Sequence, residues 1–387
     1  MIRHHRRPAL AATVLAAVTV VAGIVPAGTA GARTVRPSTP KAASSAPAAV
    51  LVSKTSSQVT VIVGGLRKDL TLQPTAQVLA GSFGLGQPGA FLYNPGSGKD
   101  GLLRFHVTNH KIVTSFMPMT VSGHYRPIVK DLDQDGVSDI FWYGPGATKD
   151  SIWSFEADGT HTVVATPQVG GNATPVPVSG HINTDWMDYK VGILWYEPGR
   201  SHIELWNFTL QPSDDTQVPI SGRYRPIVGE FVWDDLESGP DILWYSQTGP
   251  EYVWSFGHDP GQPRTTKVGD IGPGARPTEG AYGITSPYPY GGTTSGSTLF
   301  WYFPGSRTEQ YWTPQLAHTP PMKVTPAGSI TGDYRPLEYG EDDILLLGPG
   351  TTAKILHLTA TGPAGSITLT GLPKAAFGQS FTSVATN

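Results

Sequence analysis

The sequence predicts an all-β fold built from a repeated unit of about 50 residues, and three observations carry that prediction. Turn formers are dense, with 46 Gly and 35 Pro in 387 residues, a content that breaks helices and suits short strands joined by turns. Large rings abound, 10 Trp, 15 Tyr and 13 Phe against only 15% charged residues, so the chain can bury a core and is not a disordered polymer. The third observation is self-similarity: SGHYRPIVKDLDQDGVSDIFWYGPGATKDSIWSF from Ser122 returns from Ser221 as SGRYRPIVGEFVWDDLESGPDILWYSQTGPEYVWSF.

In chain order the N-terminus comes first. Arg3, Arg6 and Arg7 precede an apolar run from Ala9 to Val25, and Ala30-Gly31-Ala32 offers a small-residue cleavage site, the pattern of an export signal over residues 1–32. The alternative is an uncleaved anchor, which would hold the protein at a membrane. The run is Ala- and Gly-rich and only weakly apolar, which favours cleavage and a secreted, extracellular protein. Residues 33–49, rich in Ala, Ser, Thr and Pro, read as a flexible spacer, and 50–387 as a single repeat domain. There is no Cys, so neither a disulfide nor a cysteine-linked lipid is available, and packing, with metal as an added staple, must hold the fold.

Six copies of the repeat are visible, starting near residues 80, 122, 179, 221, 269 and 331. Their equivalent positions Leu92, Trp142, Trp195, Trp244, Trp301 and Leu346 lie 50, 53, 49, 57 and 45 residues apart. Units of that length holding several short strands are the sequence form of propeller blades. The RPIV segment is the first strand, with Pro127, Pro226, Pro277 and Pro336 at or near its start, where a ladder tolerates a missing N–H. DIFWY or DILWY is the second strand, a Pro-Gly turn follows in five copies, SIWSF or EYVWSF is the third, and a polar segment such as THTVVATPQV from Thr160 is the fourth. Both faces of the second strand would lie between neighbouring sheets, so Trp142, Trp195, Trp244 and Trp301 with Tyr143, Tyr196, Tyr245 and Tyr302 are expected in the core.

The remainders at the two ends amount to nearly one more unit: strand-like VLVSK and SQVTVIVGG before the first copy, and AAFGQSFTSV after the last. A blade assembled from both termini would close the ring and hide its sheet edges. The expectation is a seven-bladed β-propeller of four-stranded repeats, with six blades as the alternative if the N-terminal remainder stays outside the ring.

One loop carries recognisable chemistry. Asp131, Asp133, Asp135 and Asp139, with Gly136 between them, spell D-x-D-x-D-G-x-x-D. Carboxylates at every second position of a tight loop converge when the backbone wraps inward, Gly136 permits the positive φ this needs, and Val137 offers a carbonyl. Oxygen-only donors suit a hard cation, which makes Ca2+ the expected cofactor. The helical calcium loop would need a bidentate Glu where Trp142 stands, so this is a different motif. Sister loops keep fragments only, Asn183, Asp185 and Asp188, then Asp234, Asp235 and Asp241, then Glu341, Asp342 and Asp343. They are expected to be acidic surface loops whose last Asp caps a strand.

Through this loop, and through the repeat skeleton over about residues 80–360, the chain resembles the FG-GAP or VCBS repeat family, the integrin-α-like propellers. The resemblance implies a seven-bladed propeller, calcium held by Asp131, Asp133, Asp135 and Asp139, and binding more often than catalysis. The family's acidic motif is intact only once here.

A second constellation is the repeated Tyr-Arg-Pro. Arg126, Arg225 and Arg335, with Arg276 in the fifth copy, should share one radial level and could bind an anion near the axis, inter-blade pairing being the blander alternative. The net charge of -3 leaves no basic footprint for nucleic acid. Neither G-x-S-x-G nor H-E-x-x-H occurs, and the clear insertion, Ile284 to Thr298, contains no acid or base. The expected role is a secreted, calcium-stabilised, monomeric binding or scaffold module with an extracellular protein or glycan as partner. A glycan-active propeller enzyme and a carbohydrate-binding lectin are the alternatives.

Overall fold

The computed structural model describes residues 44–386 except 54, 74, 76, 85–86, 167, 181–189, 208–209, 219, 233–240, 257–262, 281–296, 306, 315–321, 341, 360–361 and 375. The leader assigned to residues 1–32 and most of the spacer lie outside them. Among the described residues there are 28 strands and no helix. A strand runs over Ser44–Val52, so residues 44–49, assigned above to a flexible spacer, are part of the folded domain. The physical reason is pairing: this Ala- and Ser-rich strand is bonded on both sides, to Gln58–Val63 and to Phe377–Thr386, and that environment overrides weak strand propensity.

The strands form seven antiparallel, four-stranded blades, and the protein is a seven-bladed β-propeller. Blades 1 to 6 follow chain order over residues 77–119, 126–165, 174–217, 225–269, 276–326 and 335–369. Blade 7 takes its first strand from the C-terminal Phe377–Thr386 and the other three from Ser44–Val52, Gln58–Val63 and Leu66–Thr71. A single parallel bridge, Thr386 to Val107, continues it into blade 1. Except between blades 4 and 5, first strands of consecutive blades approach one another closely, so they border the axis.

Inside the blades the register is repetitive. The second-strand Trp stands opposite a first-strand Pro in four blades: Pro127 and Trp142, Pro175 and Trp195, Pro226 and Trp244, Pro277 and Trp301. Each Pro is the second residue of its first strand, an edge strand that bonds only the second strand, the place where a ladder best tolerates a missing N–H.

The core divides into seven apolar clusters, one at each junction between blades. Alternation along the strand explains the division: Trp142 faces blade 1 beside Phe91, whereas its neighbours Phe141 and Tyr143 face blade 3 beside Trp195. Trp142, Trp195, Trp244 and Trp301 are at most 1% exposed, as the sequence predicts. Their indole nitrogens have no hydrogen-bond partner, so packing alone holds these rings.

Candidate functional site

Two backbone devices fix the linkers that join the blades. The Tyr that ends the second strand donates its hydroxyl to a linker Gly carbonyl, at 3.1 Å for Tyr93 and Gly123, 2.8 Å for Tyr196 and Gly222, 2.9 Å for Tyr245 and Gly272, and 2.6 Å for Tyr302 and Gly332. The same oxygen accepts the N–H of Tyr125, Tyr224 or Tyr334, and Tyr143 accepts that of Ala173. Gly222 has φ 103°, and a Cβ there would lie 2.7 Å from the Tyr224 ring, so this corner requires glycine.

The second device is a buried acid at the start of the third strand. Asp100 accepts the N–H groups of Asn94 and Val121, and Asp150 those of Gly144 and Val169. Glu251 accepts from Ile271 and Glu309 from Ile330. Burial raises the pKa of all four, against the pull of these backbone bonds. Sequence reasoning missed them, although a signal existed: an acid recurs six or seven residues after the second-strand Tyr.

The loop 131–138 leads into the second strand of blade 2. Gln134 and Gly136 adopt positive φ, 61° and 89°, which folds the acids back on the loop. Asp131 accepts the N–H groups of Asp135 and Gly136, and Asp133 lies 3.4 Å from Ser154 Oγ. Asp139 is fully buried and accepts the N–H groups of Leu132 at 2.8 Å and Phe155 at 3.2 Å. One carboxylate oxygen each from Asp131, Asp133 and Asp139 lie within 4.8 Å of one another. Asp135 is not in that group; its carboxylate accepts the Val137 N–H at 2.7 Å. The Val137 side chain is buried at the junction with blade 1.

Three carboxylates in that space repel. Burial, and then the charges of Asp133 and Asp135, push the Asp139 carboxyl up to about 7; burial and the Asp135 charge raise Asp133 also. Hard oxygen donors under mutual repulsion fit a divalent cation of the calcium type. The loop is also anchored sideways: Ser138 donates its N–H to Ser82 O at 2.7 Å and its Oγ accepts the Ser82 N–H at 2.8 Å, tying it to blade 1. Blades 4 and 5 repeat this exchange between Glu230 and Ser297.

Of the sister-loop residues, 183, 185, 188, 234, 235 and 341 lie outside the described residues, as does the insertion over 284–296. Asp241 occupies the Asp139 position and caps its strand in the same way, accepting the N–H groups of Phe231 and Val232 at 2.6 Å. Asp343 pairs with His357 at 2.9 Å. Asp139 therefore shares a fold-building role with Asp241, and Asp131 and Asp133 are what distinguish the 131–139 loop.

The four arginines open the first strands of blades 2, 4, 5 and 6, where blades 1, 3 and 7 have Gln77, Thr174 and Phe377. They do not share one fate. Arg126 donates to the Asn172 and Ala173 carbonyls of the next linker, and Arg276 pairs with Asp333 at 2.6 Å and with the Tyr334 carbonyl. Arg225 and Arg335 donate no hydrogen bond and make no ion pair among the described residues.

No family model matches the chain, and no curated protein matches it in sequence. Solved structures do resemble it. A lectin from Agrocybe aegerita, described as recognising non-reducing terminal N-acetylglucosamine, aligns with a TM-score of 0.57 at 11% identity, covering 87% of this chain and 95% of that one. A candidate 6-phosphogluconolactonase from Bacteroides fragilis aligns with a TM-score of 0.52 at 12% identity, covering 89% and 99%. Likeness at such identity speaks for the β-propeller fold alone.

Proposed function

We propose that the chain is a secreted, calcium-stapled β-propeller of the FG-GAP or VCBS kind, a monomer that binds or scaffolds an extracellular protein or glycan. The observation that carries this reading is the convergence of Asp131, Asp133 and Asp139 on a loop bonded to the neighbouring blade. A cation held there would offset the repulsion of the acids and lock blade 2 to blade 1, a structural service and not a catalytic one. Export rests on the basic and apolar N-terminus.

Sugar binding, the property named for the Agrocybe lectin, is the alternative. The second-strand Trp and Tyr rings are buried, so a sugar would have to stack on other rings, such as the half-buried Tyr125, Tyr224 and Tyr334. The deciding experiment is calorimetric calcium titration of the mature protein, followed by a glycan and polysaccharide array with and without calcium. The reading expects calcium binding and calcium-dependent capture of a partner. Absence of calcium binding sinks the staple, and cleavage of arrayed glycans would turn the assignment to a glycan-active enzyme.

A further inference from the structure

The Arg-Pro segments of blades 4, 5 and 6 enclose a cavity of about 300 Å3 at the axial border of the ring. Arg225, Arg276 and Arg335 all line it, with Glu338 as the one carboxylate among the described lining residues. They lie there because each is the first residue of its blade's first strand, and three consecutive blades carry Arg at that position.

The three guanidinium groups are not equivalent. Asp333 and the Tyr334 carbonyl hold Arg276 in place. Among the described residues Arg225 has no such partner; blade 5 carries Gly274 where blade 6 supplies Asp333, two residues before the first-strand Arg. Arg335 is likewise without a hydrogen bond among the described residues, and the two are close enough for the charge of Arg335 to lower the Arg225 pKa, after the larger effect of burial. Both groups are open to solvent inside the cavity yet walled by protein, which weakens screening of their repulsion. Two residues along from Arg276, on the same strand face, Thr278 lines the same cavity; it is 7% exposed and its Oγ1 has no hydrogen-bond partner. Like charges lining one cavity beside an unsatisfied hydroxyl are costly to the fold alone and complementary to an oxyanion.

We propose that this cavity is an oxyanion site, in which Arg225 and Arg335 grip a carboxylate, sulfate or phosphate group of a ligand, Asp333 holds Arg276 as the third wall, and Thr278 adds a hydroxyl. It goes beyond the calcium-stapled reading and is independent of it: none of its residues belongs to the 131–139 loop.

The test is calorimetric titration at low ionic strength, in chelator, with sodium glucuronate, sulfate and phosphate as probes and glucose as the neutral control. At least one oxyanion should bind and glucose should not. Arg225→Gln and Arg335→Gln should each weaken that binding by about tenfold, the scale of one charge-assisted hydrogen bond. Arg126→Gln, outside the cavity, should leave it unchanged. A further readout is stability without anion: relief of repulsion should keep the melting temperature of Arg225→Gln at or above that of the parent. No binding of any of the three oxyanions, equal binding by parent and both cavity variants, or collapse of the fold on either cavity substitution would overturn the proposal.

Discussion

The ring of Tyr196 lies 5.1 Å from that of Trp244 in the next blade, while its hydroxyl bonds the linker between the two blades. The same relation joins Tyr93 to Trp142 and Tyr143 to Trp195, both at 5.0 Å, and Tyr245 to Trp301 at 5.2 Å. One side chain thus supplies apolar contact and polar closure at once. That combination explains why the pair recurs where apolar packing alone would accept Phe.

Tyr196→Phe isolates the polar half. It keeps the ring against Trp244 and leaves the Tyr224 N–H and the Gly222 carbonyl unmet in a part-buried corner. The expected cost is about 1–3 kcal/mol, read from the midpoint of chemical denaturation at constant slope. A change near zero would mean that water replaces the hydroxyl and that the corner is held by Gly222 alone.

Ring closure gives a second prediction. Phe377–Thr386 is the first strand of blade 7 and pairs with Ser44–Val52 over most of its length. Removing residues 375–387 should expose an edge on that strand and lower stability by several kcal/mol, with a rise in aggregation. An unchanged melting temperature for the truncated chain would show that the other six blades hold the fold without it.

The repeat length, the blade count and the buried aromatic strands were legible in the sequence because short continuous apolar runs and Gly or Pro punctuation are local signals that recur at a fixed spacing. What escaped depends on partners far along the chain. Whether Arg126 or Arg225 is paired turns on the next linker, and Asp135 reads as a ligand by spacing although its carboxylate bonds its own loop. The buried acids Asp100 and Asp150 look like ordinary turn residues until the linker N–H groups of Val121 and Val169, 21 and 19 residues later, are seen to close on them.

These acids, with His202 raised by its bond to Glu204 and against His161 lowered by burial, shape the response to pH. In an unfolded chain carboxyls titrate near about 4. In the fold, burial raises Asp100, Asp150, Glu251 and Glu309, and Asp139 reaches about 7. Between those limits the folded state binds more protons than the unfolded one, so stability falls as pH rises through the window. The calcium-free protein should therefore melt higher at pH about 5 than at pH about 7 by scanning calorimetry in chelator. A melting temperature that drops on acidification would show that the backbone bonds to these acids outweigh burial.

Calcium should reverse that slope, because its ligands must be ionised. The repulsion among Asp131, Asp133 and Asp139 is what a cation would offset, so calcium should raise the melting temperature. The gain corresponds to about 2–4 kcal/mol at 100 to 1,000 times the dissociation constant, and it should shrink as pH falls below about 7 and Asp139 takes up its proton. Two substitutions separate geometry from spacing. Asp133→Ala should remove most of the gain, since Asp133 lies in the converging group and its other bonds among the described residues are long, from the Asp135 N–H at 3.3 Å and Ser154 Oγ at 3.4 Å. Asp135→Asn should retain most of it, because that carboxylate is turned to the Val137 N–H and an Asn oxygen can still accept there. Equal losses from the two would make the loop a four-acid site of the kind its spacing suggests. If the parent protein shows no calcium dependence at either pH, Asp131 and Asp133 serve only to shape the turn.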